Sequence, residues 1–367
     1  MKRLECLDGL RGVLAVYVML GHMAPFAAMP AGLAHALSHG GAAVDVFFML
    51  SGLVIYGSLE GFGWRSRPFL IARAARIFPV YLAILPVSSL ILLIPADFGR
   101  LPWIGPESPA LGIWATGWPR LGGLHIGAHV IMIHGLLPDA ILPDAWVSLL
   151  GAAWSLSTEW QFYVLALVLG RLWRGSRDRL DLAFLLIAIA GLAWHMAGPV
   201  GWQFGRAFLP NKAHYFALGL ASAACVEGRA AAVRRYGWVL MATLAISGFQ
   251  GGPEKLLPPL VWTLCLSSQL RPNLMLLGAM HHVLRAPILL RLGALSYCIY
   301  LANEPIQRLL GVILADAVNG NAALFTLGWL PGAVLLPLLA AVWLHGSIEM
   351  PALRFGRAYA DDGVQRR

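Results

Sequence analysis

Arg11 and His22 stand eleven residues apart inside the apolar stretch that runs from Leu4 to Met29. A helix turns about 100° per residue, so this interval brings both side chains within roughly 20° of one face and about 16 Å apart along the axis. One helix would then carry a permanent cation near its start and a titratable imidazole deeper in. Ionisable groups in an apolar span are costly and face an interior or a wet cavity, which makes the pair a candidate site. The plainer alternative is an arginine that snorkels and a histidine that is simply buried and hydrogen-bonded.

Other reactive groups recur at helical spacing. Asp45 opens the run Val-Phe-Phe-Met-Leu-Ser51-Gly52, where it is either a site carboxylate or a wetted one favoured by the helix dipole. In Trp154-Ser155-Leu156-Ser157-Thr158-Glu159, the residues Ser155, Glu159 and Tyr163 form a polar stripe on an apolar helix. Glu159 suits a proton acceptor, an orienting partner for imidazole, or a packing polar group, and Ser51 and Ser155 are available as nucleophiles. Arg73 and Arg76, three apart ahead of Pro79, make a fork that matches phosphate oxygens, although basic anchoring at a membrane surface explains them equally well. Near the end of the chain Tyr300, Asn303 and Glu304 precede Pro305, which frees a backbone carbonyl at the depth expected for His22. His125, His129 and His134 invite a metal reading, but without an acidic partner or HExxH spacing none is expected.

The elements that hold these groups follow from composition. The 367 residues are 59% hydrophobic and 12% charged, so the chain reads as an all-α polytopic membrane bundle. Ten spans are expected, near 9–29, 43–59, 77–95, 149–170, 180–198, 211–226, 236–250, 256–270, 292–314 and 322–345. The formal charge of +9 points to topology rather than nucleic acid. Lys2 and Arg3, Arg65 to Arg76, Arg171 to Arg179, Arg229 to Arg235, Arg271 to Arg291 and Arg354 to Arg367 fall on one side. The other side receives Arg100, Arg120, Arg206, Lys212 and Lys255. The positive-inside rule makes the richer side cytoplasmic and puts both termini there. Residues 96–148, rich in Pro, Gly and Trp, must return to the side they leave, as an outer loop with a re-entrant or interfacial segment. Arg11 interrupts what would otherwise resemble a signal peptide, so a retained span is expected. The domains expected are 1–350 for the membrane unit and 351–367 for a basic tail. Cys6, Cys225, Cys265 and Cys298 lack CxxC spacing and read as packing residues.

In their order these motifs resemble acyltransferase family three, bacterial integral-membrane enzymes that acylate sugars and glycans. The resemblance rests on Leu7-Asp8-Gly9-Leu10-Arg11 with His22, Phe47 to Gly52, Arg73 to Pro79 with Tyr81, Trp154 to Glu159 with Tyr163, Ser296 to Leu301, and Glu349 with Pro351. It implies acyl transfer from cytoplasmic acyl-CoA, usually acetyl-CoA, to a hydroxyl of a carbohydrate or lipid-linked glycan on the outer side of the bacterial inner membrane, with no tightly bound cofactor. On that reading His22 is the base, Asp45 or Glu159 orients it, and Arg11, Arg73 and Arg76 hold the donor. Ser51, Trp154, Ser155, Tyr163, Tyr300, Asn303 and Glu304 line the site. Family members often carry His where this chain has Asn303, which removes a titratable group from that position. The rival class is a transporter or flippase whose intramembrane charges form a proton or substrate pathway.

Overall fold

A computed structural model describes residues 4–365 apart from 96, 99–100, 106–107, 109–116, 174–175, 200 and 230. Lys2, Arg3, Arg100, Arg174, Arg366 and Arg367, and much of the middle of the expected outer loop, therefore lie outside the described residues. Among the described residues the fold is wholly helical. In chain order the α-helices are α1 (Glu5–Met23), α2 (Ala31–Leu37), α3 (Gly40–Gly61), α4 (Ser66–Ile91) and α5 (Gly122–Val130). They continue with α6 (Trp154–Leu172), α7 (Arg177–Ala197), α8 (Ala213–Val226), α9 (Ala232–Gln250) and α10 (Leu257–Leu270). The last four are α11 (Met275–Leu284), α12 (Pro287–Ala317), α13 (Ala322–Leu344) and α14 (Met350–Gln365).

Each of the ten expected spans coincides with a helix, but length and apolarity qualify fewer of them. Among the described residues, five helical stretches are long and apolar enough to cross a membrane, or six if the bent pair α11–α12, which turns by 61°, counts as one. The shortfall has physical causes. α8 and α10 have 14 residues each, about 21 Å at 1.5 Å per residue, against a hydrocarbon core of roughly 30 Å. α6 carries the polar stripe of Ser155, Glu159 and Tyr163, and α9 has Arg234 and Arg235 in its first turn. The protein is a multi-pass helical membrane protein.

Two close helix pairs set the frame. α1 runs alongside α12 because glycines let the backbones meet: a Cβ on Gly12 would stand 2.5 Å from the Leu289 carbonyl oxygen, and one on Gly293 would stand 2.0 Å from that of Asp8. With α1 held this way, the stripe that carries Arg11 and His22 faces α12. α3 meets α8 in the same manner at Gly52 and Gly219, where an added Cβ would lie 2.4 Å from the Phe216 oxygen or 2.1 Å from that of Met49. Asn321 caps α13, its side chain accepting from the amides of Ala323 and Leu324. At the far end of α13 a π-helical turn, His345–Glu349, rotates Glu349 into the interior.

Candidate active site

Two cavities lie along the bundle and share two wall residues, Val44 and Tyr300. The larger, of about 1290 Å³, is lined by His22, Trp154, Glu304 and Arg308 among others. The smaller, of about 560 Å³, gathers Arg11, Arg73, Arg76, Ser51, Ser155, Glu159 and Tyr163. The expected site residues therefore divide between two chambers rather than converge on one point.

In the larger cavity His22 is oriented by Asn303. The His22 Nδ1 lies 2.7 Å from Asn303 Oδ1. The amide orientation is settled by its other end, where Nδ2 donates to the Ile299 and Tyr300 carbonyls at 2.9 and 2.7 Å. Oδ1 can only accept, so Nδ1 of His22 carries the proton and Nε2 is left as the basic nitrogen. The orienting contact expected of Asp45 or Glu159 is made by this amide instead. α1 brings the imidazole because of the glycine contacts with α12, and α12 brings the amide, which is held by reaching back one turn to the Ile299 and Tyr300 carbonyls of its own helix.

Asp45 has a different partner. It is fully buried, and Lys212 Nζ, also buried, donates to its Oδ1 at 2.6 Å. Its second oxygen has no partner. Lys212 also sits over the rings of Trp154 and Tyr215, at 5.7 and 5.4 Å. Sequence reasoning placed Lys212 among the outer-loop basic residues. The 3₁₀ turn Leu209–Asn211 instead delivers it into the bundle behind Trp154. Asp45 lines neither cavity.

Glu159 belongs to the smaller cavity. Ser51 donates to its Oε1 at 2.5 Å, and the Tyr163 hydroxyl donates to the same oxygen. Arg11 donates to Ser296 at 3.2 Å. Arg73 donates to Ser58 at 2.5 Å and lies over the rings of Phe69 and Tyr163, while its Nε is buried without a partner. Arg76 stands 3.9 Å from Glu349. The expected basic tail contributes as well: α14 lies back along α4, where a Cβ on Gly356 would meet Ala75 at 2.6 Å, and Leu353, Gly356 and Arg357 line this cavity. Small residues in the facing turns were the only sequence signal for this packing.

Tyr300 and Ser155 form the junction between the chambers. The Tyr300 hydroxyl donates to the Ala152 carbonyl at 2.9 Å and accepts from Ser155 at 2.9 Å. Glu304 uses both carboxylate oxygens on the amides of Gly151 and Ala152, at 3.1 and 2.6 Å, where the α6 segment begins. These contacts tie α12 to the start of α6 at the level where the cavities meet.

Of the histidines of the expected outer loop, His129 and His134 are packed in the interior and His125 lines the larger cavity. α5 has nine residues, too short to span. The His129 and His134 rings stack at 4.0 Å, and Ser148 lies 2.7 Å from His125 Nδ1 and 3.2 Å from His129 Nε2. Burial pushes His134 down to about 4 and His129 well below its ordinary value, so both rings are neutral. Among the described residues the donor set close enough for a metal lies elsewhere: Cys298, His345 and Glu349, within 4.8 Å of one another. Their hydrogen bonds are satisfied internally, since one Glu349 oxygen meets His345 Nδ1 at 2.7 Å and Cys298 Sγ at 3.2 Å, and Arg76 flanks the other.

A family model described as an acyltransferase domain matches residues 4–346. The chain belongs to acyltransferase family three. Among relatives of this acyltransferase, the protein named Acyltransferase MdmB, from Streptomyces mycarofaciens, is 26% identical over 405 residues, covering 96% of this chain and 92% of the relative. No solved structure was found to match. The family match ends within the π turn, ahead of α14, so the acyltransferase builds part of the wall of its smaller cavity from residues beyond the matched region.

Proposed function

We propose that this membrane acyltransferase moves an acyl group, most simply acetyl, from cytoplasmic acyl-CoA to a hydroxyl of a carbohydrate or lipid-linked glycan on the outer side of the bacterial inner membrane. The observation that carries the reading is the pair of cavities meeting at Tyr300, one lined by Arg11, Arg73, Arg76 and Arg357 and the other by His22. The unpartnered Nε of Arg73 suits a phosphate oxygen of the donor's nucleotide. The distribution of basic residues supports cytoplasmic termini and the arginine chamber facing inward, with all ten apolar helices crossing.

The reaction follows from this arrangement. The donor's pantetheine arm extends from the arginine chamber toward Tyr300 and presents its thioester at the junction. The acceptor hydroxyl enters the larger chamber beside His22, whose Nε2 takes its proton as the oxygen attacks the thioester carbon. Negative charge develops on the carbonyl oxygen, and Tyr300 stabilises it by turning its hydroxyl proton from the Ala152 carbonyl to the oxyanion while Ser155 goes on donating to Tyr300. The carbon–sulfur bond then breaks, and the departing thiolate receives the proton held by His22. Asn303 accepts from Nδ1–H throughout and keeps the ring in the tautomer this proton transfer requires. Glu159, tied to Ser51 and Tyr163, shapes the passage for the donor arm.

The test is transfer of radiolabel from acetyl-CoA to the glycan fraction of inverted membrane vesicles containing the protein. Label should appear only when acetyl-CoA reaches the cytoplasmic face. Label supplied equally well from the opposite face, or none above vesicles lacking the protein, would refute the reading.

A further inference from the structure

The larger cavity holds an arginine that the transfer chemistry does not use. Arg308 lies on α12, lines the cavity and is only 6% exposed. Its Nε is buried without a hydrogen-bond partner. Glu304, one turn earlier on the same face, commits both carboxylate oxygens to the amides of Gly151 and Ala152. A guanidinium held out of water with a donor unsatisfied is costly to keep, and an anion in the cavity is the group that offsets that cost. The surrounding charge has the same sign. Arg206 and Arg120 also line the cavity, Arg206 over the rings of Trp146 and Trp154 at 6.0 and 5.6 Å, against the carboxylates of Asp144 and the already committed Glu304.

We propose that Arg308 recognises an oxyanion on the acceptor, a sugar carboxylate or a sugar phosphate ester. This rests on the reading of the larger cavity as the acceptor chamber. Arg308 stands five residues beyond Asn303, about 7.5 Å along the helix, so the anion is bound one sugar position away from the hydroxyl that faces His22. A planar guanidinium pairs with either oxyanion through two parallel hydrogen bonds, which makes it a selector for acidic over neutral acceptors. Pro305, between the two residues, fixes the local backbone and with it the separation of base and selector.

The experiment is calorimetric titration of the purified full-length protein in phosphatidylcholine nanodiscs, without acyl donor. The probes are p-nitrophenyl β-glucuronide, glucose 6-phosphate and the neutral p-nitrophenyl β-glucoside. At least one anionic probe should bind about tenfold or more tightly than the glucoside, and the anion with the larger margin distinguishes carboxylate from phosphate. Arg308→Gln should erase the margin while leaving the glucoside within about twofold, and Arg308→Lys should keep part of it. Equal binding of all three probes to the wild type, or no binding of either anion at millimolar concentration, overturns the proposal. So does an equal loss for anions and glucoside in Arg308→Gln, which marks a packing role. If that variant does not fold, the wild-type margin and its reduction in Arg308→Lys decide the matter. Because no donor is present, this result is independent of acyl transfer, whose failure would appear instead as absent label from acetyl-CoA.

Discussion

Replacing Asn303 by Ala removes the acceptor of the His22 Nδ1 proton and the two hydrogen bonds that fix the amide. A buried donor left without a partner costs about 1–3 kcal/mol. If that cost falls on the transition state, turnover drops about 5- to 150-fold, since each 1.36 kcal/mol is tenfold. Donor affinity should stay within about twofold, because Asn303 lines neither cavity and lies away from Arg11, Arg73 and Arg76. The assay is acetyl transfer per folded molecule, with folding checked by size exclusion and acyl-CoA binding measured on the same sample. Asn303→Asp offers Nδ1–H an acceptor again, so it should recover much of the rate with a pH–rate profile displaced from that of the wild type. A purely structural role moves stability without displacing that profile. A folded Asn303→Ala protein that turns over within twofold of the wild type would refute the argument.

Three further expectations follow. Arg73→Gln with Arg76→Gln should raise the KM for acyl-CoA at unchanged membrane insertion, each charge-assisted hydrogen bond being worth about 1.5–3 kcal/mol, and Lys at both sites should restore only part; full activity at limiting acyl-CoA would return the pair to anchoring. Asp45→Leu alone leaves Lys212 buried without its partner and should destabilise the protein by about 3–5 kcal/mol in thermal melts, whereas adding Lys212→Met should recover most of that; a double variant that is stable but inactive would give Asp45 a catalytic role beyond packing. Cysteines placed beside Arg234 and near Gly105 should be respectively shielded from and open to an impermeant reagent added outside intact cells, and the reverse pattern would invert the topology.

Helix positions were legible because apolar runs of sufficient length have few other readings, and each expected span fell on a helix. The Arg11 and His22 stripe was legible for the same reason, since periodicity alone puts the two on one face. Depth also placed Asn303 near His22, but not the direction of the amide, which is set by the Ile299 and Tyr300 carbonyls it reaches back to. The Asp45–Lys212 pair joins residues far apart in sequence, and a basic residue in a polar loop looks the same whether it faces solvent or turns inward. Ser51, Glu159 and Tyr163 each read as polar on an apolar helix, yet only the packing of α3 on α6 shows that the three share one hydrogen-bonded oxygen. The contribution of α14 was hidden by its charge, since basic residues at a chain end are as common in solvated tails as against a site.

The central claim is that His22 moves the acceptor's proton. The most direct measurement is acetyl transfer by His22→Asn per correctly folded molecule, with acyl-CoA binding determined on the same purified sample. An amide hydrogen-bonds but takes no proton at neutral pH, so turnover should fall about 10²- to 10⁴-fold, the range for a positioned general base, while donor binding changes little. A folded His22→Asn protein that keeps most of its turnover would contradict the account.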